Sequence, residues 1–322
     1  MRAARVTSLD GPAAVTVAEV PEPSPDSGQV LVDVHEAGVN FPDVLMSRGR
    51  YQMRLDLPFT PGSECAGVVR EAAPGSAFRK GDRVAAFPMF GGFAEAVSVP
   101  EAMVFALPDS VSFTTGAAVL MNYLTAHFAL LRRGRLETGE TVLVHGAAGG
   151  IGTAAIQLAK AHGARVLAVV STPGKGVVAQ SAGADEALLA DEFLTRAKAL
   201  TGGRGVDVVV DPVGGDRFTD SLRSLAPEGR ILVIGFTAGV IPEVKVNRLL
   251  LANTSIVGVG WGAFWTPDPA YVRTQWDEVV PLLERGALDP PIGATFELDD
   301  VAAALAELDE RRAVGKVTLR VR

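Results

Sequence analysis

The stretch that decides the fold is Val142-Leu143-Val144-His145-Gly146-Ala147-Ala148-Gly149-Gly150-Ile151-Gly152. An apolar strand runs into a glycine-rich turn, and the turn opens a helix that we predict over Ile151–His162. The dinucleotide fingerprint G-x-G-x-x-G here reads Ala147-x-Gly149-x-x-Gly152. Gly149 lets the backbone approach a pyrophosphate, and Gly152 lets the helix pack closely on the strand. The segment therefore predicts a dinucleotide site at a helix N-terminus, whose free N–H groups and dipole favour an anion.

Downstream of residue 110, strand-like and helix-like segments alternate. The predicted strands are 141–144, 165–170, 187–189, 207–210, 230–234 and 254–259. Continuous apolar runs such as Val208-Val209-Val210 are typical of parallel strands that are covered on both faces. This half of the chain is predicted to form a doubly wound α/β domain with a parallel sheet.

The first hundred residues are β-rich instead. The predicted short strands are 30–35, 65–69, 83–87, 93–99 and 103–107. Turn residues bound them, which favours a compact antiparallel or barrel-like unit. The last sixty residues contain predicted helices at 271–285 and 301–312 and a closing strand at 316–321, and do not form another αβ repeat. The chain is thus predicted to return to its first domain after an inserted α/β domain.

Composition narrows the function classes. With 30 basic and 37 acidic residues among 322, the net charge of -7 argues against nucleic acid or an anionic membrane as the main partner. The one cysteine, Cys65, excludes an internal disulfide and a four-cysteine zinc site. Two stretches lack charge, Ser110–Leu131 and Leu249–Pro267. We interpret them as a buried helix and as a buried strand with its loop, not as membrane spans, and expect a cytoplasmic protein.

The end of the second predicted strand of the α/β domain selects the cofactor. NAD enzymes usually place an acidic residue there to bind the ribose hydroxyls. Here the strand is followed by Ser171, Thr172 and Lys175, and no carboxylate appears before Asp185. Hydroxyls and a lysine suit a 2′-phosphate, although Lys175 is also compatible with a solvated position at a helix start. The residues favour NADPH over NADH.

Several stretches together resemble one family. They are Gly38-Val39-Asn40-Phe41-Pro42-Asp43, Pro61-Gly62-Ser63-Glu64, Gly81-Asp82-Arg83-Val84, the glycine-rich turn, Asp211-Pro212-Val213-Gly214-Gly215, and Gly229-Arg230 through Gly235-Phe236. The chain resembles the zinc-independent quinone oxidoreductase (zeta-crystallin-like) branch of the medium-chain dehydrogenase/reductase superfamily. The resemblance implies a GroES-like substrate domain split in sequence (1–122 and 264–322), an inserted Rossmann domain that binds NADPH (123–263), and an active site in the cleft between them.

The resemblance also bears on metal and catalysis. Zinc-using relatives carry Cys in place of Asn40 and Gly-His-Glu in place of Gly62-Ser63-Glu64, and neither Asn40 nor Ser63 is a plausible zinc ligand. No metal is therefore expected. The resemblance places Asn40 beside the nicotinamide, where its amide would donate to a developing oxyanion. Tyr51 matches a pocket tyrosine that orients substrate or relays a proton, or else packs at the rim. Asp43 is expected to cap a helix.

Further cofactor contacts are implied at matching positions. Together with Asn40 they are Thr125, Ala148, Gly149, Gly150, Ile151, Ser171, Thr172, Lys175, Val213, Gly235, Phe236, Thr237, Val259, Gly260, Trp261, Arg312 and Lys316. For Phe236 and Trp261 a core or interface position is the alternative, and for Arg312 and Lys316 a surface position. His145 is expected to order the glycine-rich turn by hydrogen bonding, and none of the four histidines is assigned a catalytic role.

Three functions remain open at this stage. The first is an NADPH-dependent quinone oxidoreductase that transfers hydride or single electrons. The second is an NADPH-dependent reductase of α,β-unsaturated carbonyls or enoyl thioesters. The third is a non-catalytic NADPH-binding sensor or structural protein. In each case the apolar strand Thr254–Val259 would be an exposed sheet edge in a monomer, which predicts a homodimer that pairs this strand across a two-fold axis.

Overall fold

The computed structural model describes residues 1–322, and the chain divides into two units. The first unit comprises Met1–Met121, Asp268–Arg285 and Ile292–Arg322, and the second comprises Asn122–Pro267 and Gly286–Pro291. The first unit is therefore discontinuous in sequence.

The first unit is built on a seven-stranded sheet and a separate hairpin. The hairpin pairs β1 (Arg2–Val6) with β2 (Val15–Glu19). The sheet contains β3 (Gln29–Val39), β4 (Glu64–Ala72), β5 (Arg83–Ala86), β6 (Ala96–Pro100), β7 (Val104–Ala106), β14 (Ile292–Glu297) and β15 (Lys316–Arg320). All of its pairings are antiparallel except that of β14 with β15.

Strand β3 is the centre of this sheet. One of its edges pairs with β4, and the other is shared, with β6 along residues 29–33 and with β15 along residues 36–39. The register of β3 with β4 shifts twice, between Leu31 and Val32 and between Val34 and Glu36. Such irregularities increase local twist and bend the strand. The start of β15 and the start of β4 consequently both lie beside the carboxyl end of β3.

The second unit contains a six-stranded parallel sheet. Its strands are β8 (Thr141–His145), β9 (Arg165–Val170), β10 (Glu186–Leu189), β11 (Val206–Asp211), β12 (Leu225–Val233) and β13 (Ser255–Gly258). Their spatial order is β10-β9-β8-β11-β12-β13. This is the doubly wound Rossmann order, in which ligands bind where the order reverses, between the first and fourth strands. Here those strands are β8 and β11, and the predicted fold class is confirmed.

Ten α-helices accompany the sheets. They are α1 (Phe41–Ser47), α2 (Phe113–His127), α3 (Gly150–Ala161), α4 (Pro173–Ser181), α5 (Phe193–Leu200), α6 (Phe218–Ser224), α7 (Asn247–Ala252), α8 (Trp261–Trp265), α9 (Ala270–Glu284) and α10 (Val301–Asp309). None of these helices has the length and apolar character that crossing a bilayer requires. Burial of Val208, Val209 and Val210 is complete, as expected for a parallel strand covered on both faces.

The structure confirms the prediction for one of the two uncharged stretches and contradicts it for the other. Ser110–Leu131 contains α2, a buried helix as predicted, which continues as a short π-helical segment over Phe128–Arg133. The prediction of a buried strand for Leu249–Pro267 is wrong. Strand β13 is the outermost strand of its sheet and is only half-buried, and Leu250 and Leu251 in the preceding helix are 76% and 81% exposed.

Candidate active site

The glycine-rich turn lies at the carboxyl end of β8. The strand ends at His145, Gly146 adopts a positive φ of 58°, and the Gly149 N–H donates to the Gly146 carbonyl at 3.0 Å. Helix α3 then begins at Gly150, with Gly149 as its N-cap. The first N–H groups of a helix have no partner within the helix and point outward from its end. The turn thus presents backbone donors and the positive end of a helix dipole, as an anion site requires.

Three glycines of the turn differ in how much room the surrounding protein leaves for a side chain. A Cβ on Gly152 would lie 2.3 Å from the Gly146 carbonyl oxygen, so only glycine permits this close approach of helix and turn. A Cβ on Gly150 would lie 2.3 Å from Asn122 Nδ2. A Cβ on Gly149 would meet its nearest atom, the Gly146 carbonyl oxygen, at an ordinary 3.4 Å. Packing within the protein therefore does not require glycine at position 149, whereas close approach of a pyrophosphate to the backbone would.

Asn122 is a feature of this site that the sequence analysis missed. Its side chain lies on α2, is 6% exposed, and packs against Gly150. The predicted site residue Thr125 follows on the same helix and is 8% exposed. The signal was present in the sequence, since an uncharged helix that carries Asn and Thr three residues apart presents a polar pair on one face.

The predicted 2′-phosphate residues directly follow β9, the strand next to β8. The Ala147 N–H donates to the Val169 carbonyl at 3.3 Å, which links the glycine-rich turn to the end of β9. Ser171 and Thr172 are exposed there. Thr172 is the N-cap of α4, and its Oγ1 accepts from the Lys175 N–H at 3.4 Å. The three predicted residues are thus grouped at one helix N-terminus beside the turn.

The loops after β11, β12 and β13 lie along the same edge of the sheet. The Asp211 carboxylate accepts from the Val213 and Gly214 N–H groups at 2.8 and 2.9 Å. The Thr237 N–H in turn donates to the Pro212 carbonyl at 3.2 Å. The predicted residues Val213, Gly235, Phe236, Thr237, Val259, Gly260 and Trp261 are all in these loops or at the start of α8. The structure therefore brings them to the sheet edge that carries the glycine-rich turn.

The two aromatic residues among them differ in exposure. Phe236 is 36% exposed, whereas Trp261 is 5% exposed and its ring centroid lies 5.8 Å from that of Trp265. Trp261 is therefore packed in the interior of the second unit. Phe236 presents its ring to the surface at the carboxyl edge of the sheet.

His145 does not have the predicted role. Its Nε2 is hydrogen-bonded to Ser221 Oγ at 2.8 Å, and its ring packs edge-on against Phe193 at a centroid distance of 5.0 Å. The side chain of the last strand residue points toward α5 and α6, so it orders those helices and not the glycine-rich turn. Burial lowers the pKa of His145, which keeps the imidazole neutral at pH 7.

In the first unit, four buried polar side chains form a cluster that we call the Lys316 cluster: Asn40, Ser63, Glu64 and Lys316. Lys316 Nζ donates to Glu64 Oε1 at 2.5 Å and to Asn40 Oδ1 at 2.7 Å. Asn40 Nδ2 donates to Glu64 Oε1 at 2.8 Å and lies 3.3 Å from Ser63 Oγ. All four residues are at most 4% exposed. A buried charge is tolerated when it is paired, and here Lys316 and Glu64 neutralise each other.

The sheet brings this cluster together. Gly38 on β3 is opposite Glu64 at the start of β4, and Val39 is opposite Val317 on β15. Asn40 follows directly after β3, so it lies between the first residues of its two neighbouring strands. The other Glu64 oxygen accepts from the Met121 N–H at 2.8 Å.

Asp43 borders the cluster and is completely buried. Its carboxylate accepts from the Asn40 N–H at 2.8 Å and from the Gly62 N–H at 3.3 Å. The first of these bonds caps α1, which confirms the predicted capping role. Burial raises the pKa of Asp43 to about 7, against the opposing effect of the two N–H donors and Lys316.

The predicted catalytic and C-terminal residues have distinct environments. Both Nδ2 hydrogens of Asn40 face protein acceptors in this structure, so its donation to a substrate oxyanion stays a prediction. Tyr51 is half-buried, and burial raises the pKa of its hydroxyl. The surface alternative for Lys316 is wrong, because it is 3% exposed. Arg312 is exposed and forms ion pairs with Glu307 and Glu310.

The donor set around Asn40 does not fit zinc. Asn40 and Ser63 offer neutral oxygen and nitrogen donors of low zinc affinity, and the Lys316 ammonium already holds the nearest carboxylate. Burial raises the pKa of the Cys65 thiol to about 12, so it is not a thiolate. No group of three or more His, Cys, Asp and Glu side chains in the chain is arranged to hold a metal ion.

Comparisons with known proteins agree with this architecture. A family model described as the alcohol dehydrogenase GroES-like domain matches residues 26–109, and one described as zinc-binding dehydrogenase matches residues 150–285. Quinone oxidoreductase-like protein 2 of Rattus norvegicus is 39% identical over 325 residues, which cover 100% of this chain and 92% of the relative.

Solved structures resemble the whole chain. A probable oxidoreductase from Mycobacterium abscessus has a TM-score of 0.92 at 43% identity and covers 100% of this chain and 99% of its own. The quinone oxidoreductase from Thermus thermophilus, whose complex with NADPH is also known, has a TM-score of 0.86 at 37% identity with 100% of both chains covered.

The raised pKa of Asp43 predicts a pH-dependent stability. A carboxyl group whose pKa is higher in the folded than in the unfolded state stabilises the fold fully when the pH is below its unfolded pKa, here 3.8. This stabilisation is lost as the pH rises toward the folded pKa of about 7. Asp43→Asn keeps an acceptor oxygen without the titration. We therefore expect the melting temperature of the wild type minus that of Asp43→Asn to decrease as the pH is raised from 4 to 7. A constant difference over this range, measured by thermal unfolding, would contradict the assignment.

Proposed function

The chain belongs to the quinone oxidoreductase branch of the medium-chain dehydrogenase/reductase superfamily, and from this premise we propose that it is a zinc-independent, NADPH-dependent quinone oxidoreductase. The observation that carries the proposal is the glycine-rich turn, in which packing within the protein requires glycine at positions 150 and 152 but not at position 149. Close approach of a pyrophosphate to the backbone would supply the reason for Gly149.

The cofactor in this proposal is held by the second unit. Ala148, Gly150 and Ile151 would hold the pyrophosphate through backbone N–H groups at the start of α3. Gly149, whose N–H donates to Gly146, would let the pyrophosphate approach the backbone closely. Ser171, Thr172 and Lys175 would bind the 2′-phosphate, since they are grouped at the N-terminus of α4 next to the turn. Thr125 and the three loops that contain Val213, Gly235–Thr237 and Val259–Trp261 would line the rest of the dinucleotide.

The acceptor in this proposal is an electron-poor quinone. Bound NADPH supplies a hydride or its electrons, and the protein supplies orientation and a dry pocket. The residues around Asn40 do not fit a Lewis-acidic zinc ion, so they are unsuited to polarise an alcohol oxygen. A quinone needs no such activation. Asn40 would face the nicotinamide and the quinone oxygen, and Tyr51 would orient the quinone.

We further propose how the chain is divided by function. Residues 1–122 and 264–322 would form the substrate domain, and residues 123–263 the NADPH-binding domain.

Arg312 and Lys316 were expected to reach the cofactor, and this remains a proposal for Arg312. For Lys316 the Glu64 ion pair supports a role within the protein instead. The single, buried Cys65 agrees with a reducing compartment and supports a cytoplasmic location.

A homodimer is part of the proposal. Strand β13 is the outermost strand of the six-stranded sheet and leaves one edge without a partner. Beside it, Val246, Leu250 and Leu251 are 75%, 76% and 81% exposed. Contiguous exposed apolar side chains next to a free strand edge are typical of an interface. Pairing of two β13 strands about a two-fold axis would cover both.

The proposed reaction can be tested directly. Purified protein and NADPH are mixed with 1,4-benzoquinone, 9,10-phenanthrenequinone, 2-hexenal or crotonyl-CoA, and the loss of nicotinamide absorbance is followed. We expect the quinones to be reduced fastest. Gly149→Val is the matched control: its extended backbone accepts valine, so the variant should fold yet bind no NADPH in calorimetry. Faster turnover of the enal or the thioester, or no turnover at all, would refute quinone reduction.

The 2′-phosphate assignment predicts a change in cofactor preference. Lys175→Glu replaces a phosphate-binding cation by an anion, and loss of a charged hydrogen bond costs about 1.5–3 kcal/mol. We expect the Kd for NADPH to rise by at least about tenfold with little change for NADH. Lys198→Glu on the exposed side of α5 makes the same charge change elsewhere and should affect neither. Equal weakening of both cofactors by Lys175→Glu would place the lysine away from the phosphate.

The dimer has its own test. We expect the double substitution Leu250→Asp/Leu251→Asp to give a monomer mass by light scattering, because two desolvated carboxylates per subunit oppose association. Val177→Asp on α4, where the side chain is 64% exposed, is the control and should leave the mass unchanged. A wild type that is already monomeric would remove the dimer from the proposal.

A further inference from the structure

The Lys316 cluster fixes the direction of the Asn40 amide. The oxygen and nitrogen of an amide have nearly the same shape, so only their hydrogen-bond partners distinguish the two orientations. An ammonium group can only donate and an ionised carboxylate can only accept. Lys316 Nζ therefore holds Asn40 Oδ1 at 2.7 Å, and Glu64 Oε1 holds Asn40 Nδ2 at 2.8 Å. A flipped amide would lose both bonds.

The second hydrogen on Asn40 Nδ2 is held weakly. The acceptors that remain for it are Ser63 Oγ and the Gly38 carbonyl, each at 3.3 Å. Bonds of this length are much weaker than one at 2.8 Å, and a negatively charged oxygen would be a stronger acceptor than either. Asn40 thus has one N–H committed to Glu64 and one that a charged ligand atom can take over.

Stability alone does not account for the buried pair. Lys316 and Glu64 are 3% and 0% exposed by side chain, and the desolvation of two buried ions offsets most of their attraction. Replacement of a buried ion pair by apolar residues of similar volume is often neutral or stabilising. What an apolar pair would not supply is a fixed positive charge behind the carbonyl of Asn40.

We propose that Lys316 is a positioning residue for quinone reduction, which acts through Asn40. Its ammonium withdraws electron density through Oδ1 and so strengthens the weakly held second Nδ2–H as a donor, since hydrogen bonds in a chain polarise one another. The inference rests on the proposed function.

The step that this donor serves is the reduction itself. Addition of a hydride to the quinone oxidises the nicotinamide and moves an electron pair onto the opposite quinone oxygen. The product is a hydroquinone monoanion, and a proton from water completes the hydroquinone. The Asn40 Nδ2–H would stabilise the monoanion oxygen while its charge develops.

The effect of Lys316 on the reaction rate can be tested with a series of quinones that differ in the basicity of the product oxygen. In Lys316→Met we expect kcat to fall by about tenfold for tetramethyl-1,4-benzoquinone, whose product oxygen is most basic, and much less for an electron-poor dichloroquinone. The Kd for NADPH should not change, because the phosphate-binding residues are untouched. Lys316→Met/Glu64→Gln, which leaves no unpaired buried charge, repeats the measurement if the single variant unfolds.

Arg230→Met is the matched control. Arg230 forms a similarly short ion pair with Glu140 within the second unit, at 2.5 Å, and has no hydrogen bond or ion pair with a residue of the Lys316 cluster. We expect this variant to lose thermal stability while its kcat is the same fraction of wild type for every quinone. A uniform loss across the quinone series in Lys316→Met as well would show a merely structural role and overturn the inference.

A spectroscopic readout separates this inference from the proposed function. In ¹⁵N-labelled protein, the side-chain amide of Asn40, identified by its loss in Asn40→Asp, should give two resolved protons of unequal shift that exchange slowly. In Lys316→Met the shifts should converge and exchange should quicken. An unchanged pair of signals would overturn the positioning role. Wild-type protein that shows these signals but reduces no quinone would refute the proposed function and leave the positioning of Asn40 supported.

Discussion

The buried ion pair between Lys316 and Glu64 is the constraint on which the first unit depends. The two residues are separated by 252 positions in the sequence, yet their side chains are 2.5 Å apart and nearly inaccessible to water. Neither charge is tolerable in the interior without the other. Strand β15 must therefore dock in one register beside β3, because a slip of one residue would turn Lys316 to the opposite face of the sheet. The same docking places the Lys316 ammonium beside the side chain of Asn40, which directly follows β3.

In the second unit, the anion site at the start of α3 is formed by backbone groups and not by charged side chains. Its glycine-rich turn uses backbone N–H groups, and the close packing at Gly150 and Gly152 holds those groups in place. The Asp211 carboxylate accepts from two N–H groups of the loop after β11, and backbone bonds from Thr237 and Ala238 join this loop to the loop after β12. Preorganisation of this kind reduces the entropy lost on binding.

Much of this could be predicted from the sequence, and the exceptions have physical reasons. The parallel strands follow from apolar runs, and β9 was predicted with its observed bounds. Strands β1, β2 and β14 were missed because their residues are mixed in polarity or largely exposed, so no period is visible. The outward-facing leucines of α7 were taken for buried ones because hydrophobicity does not tell whether a core or a partner covers a side chain. The burial of Lys316 could not be predicted, because a lone charge flanking a strand normally faces solvent and its partner Glu64 is adjacent only in three dimensions.

The late position of β15 in the chain has a consequence for biosynthesis. The second unit lies almost entirely between residues 122 and 267, so its sheet is complete while the ribosome is still adding the remainder. The first unit has no such independence: β3 keeps an open edge, and Glu64 has no counter-ion, until the final strand emerges. In the nascent chain Glu64 therefore stays without Lys316 while more than two hundred further residues are translated. A premature stop codon between residue 291 and Lys316 would consequently leave a complete second unit attached to an unfinished sheet, which is a substrate for chaperones and proteases.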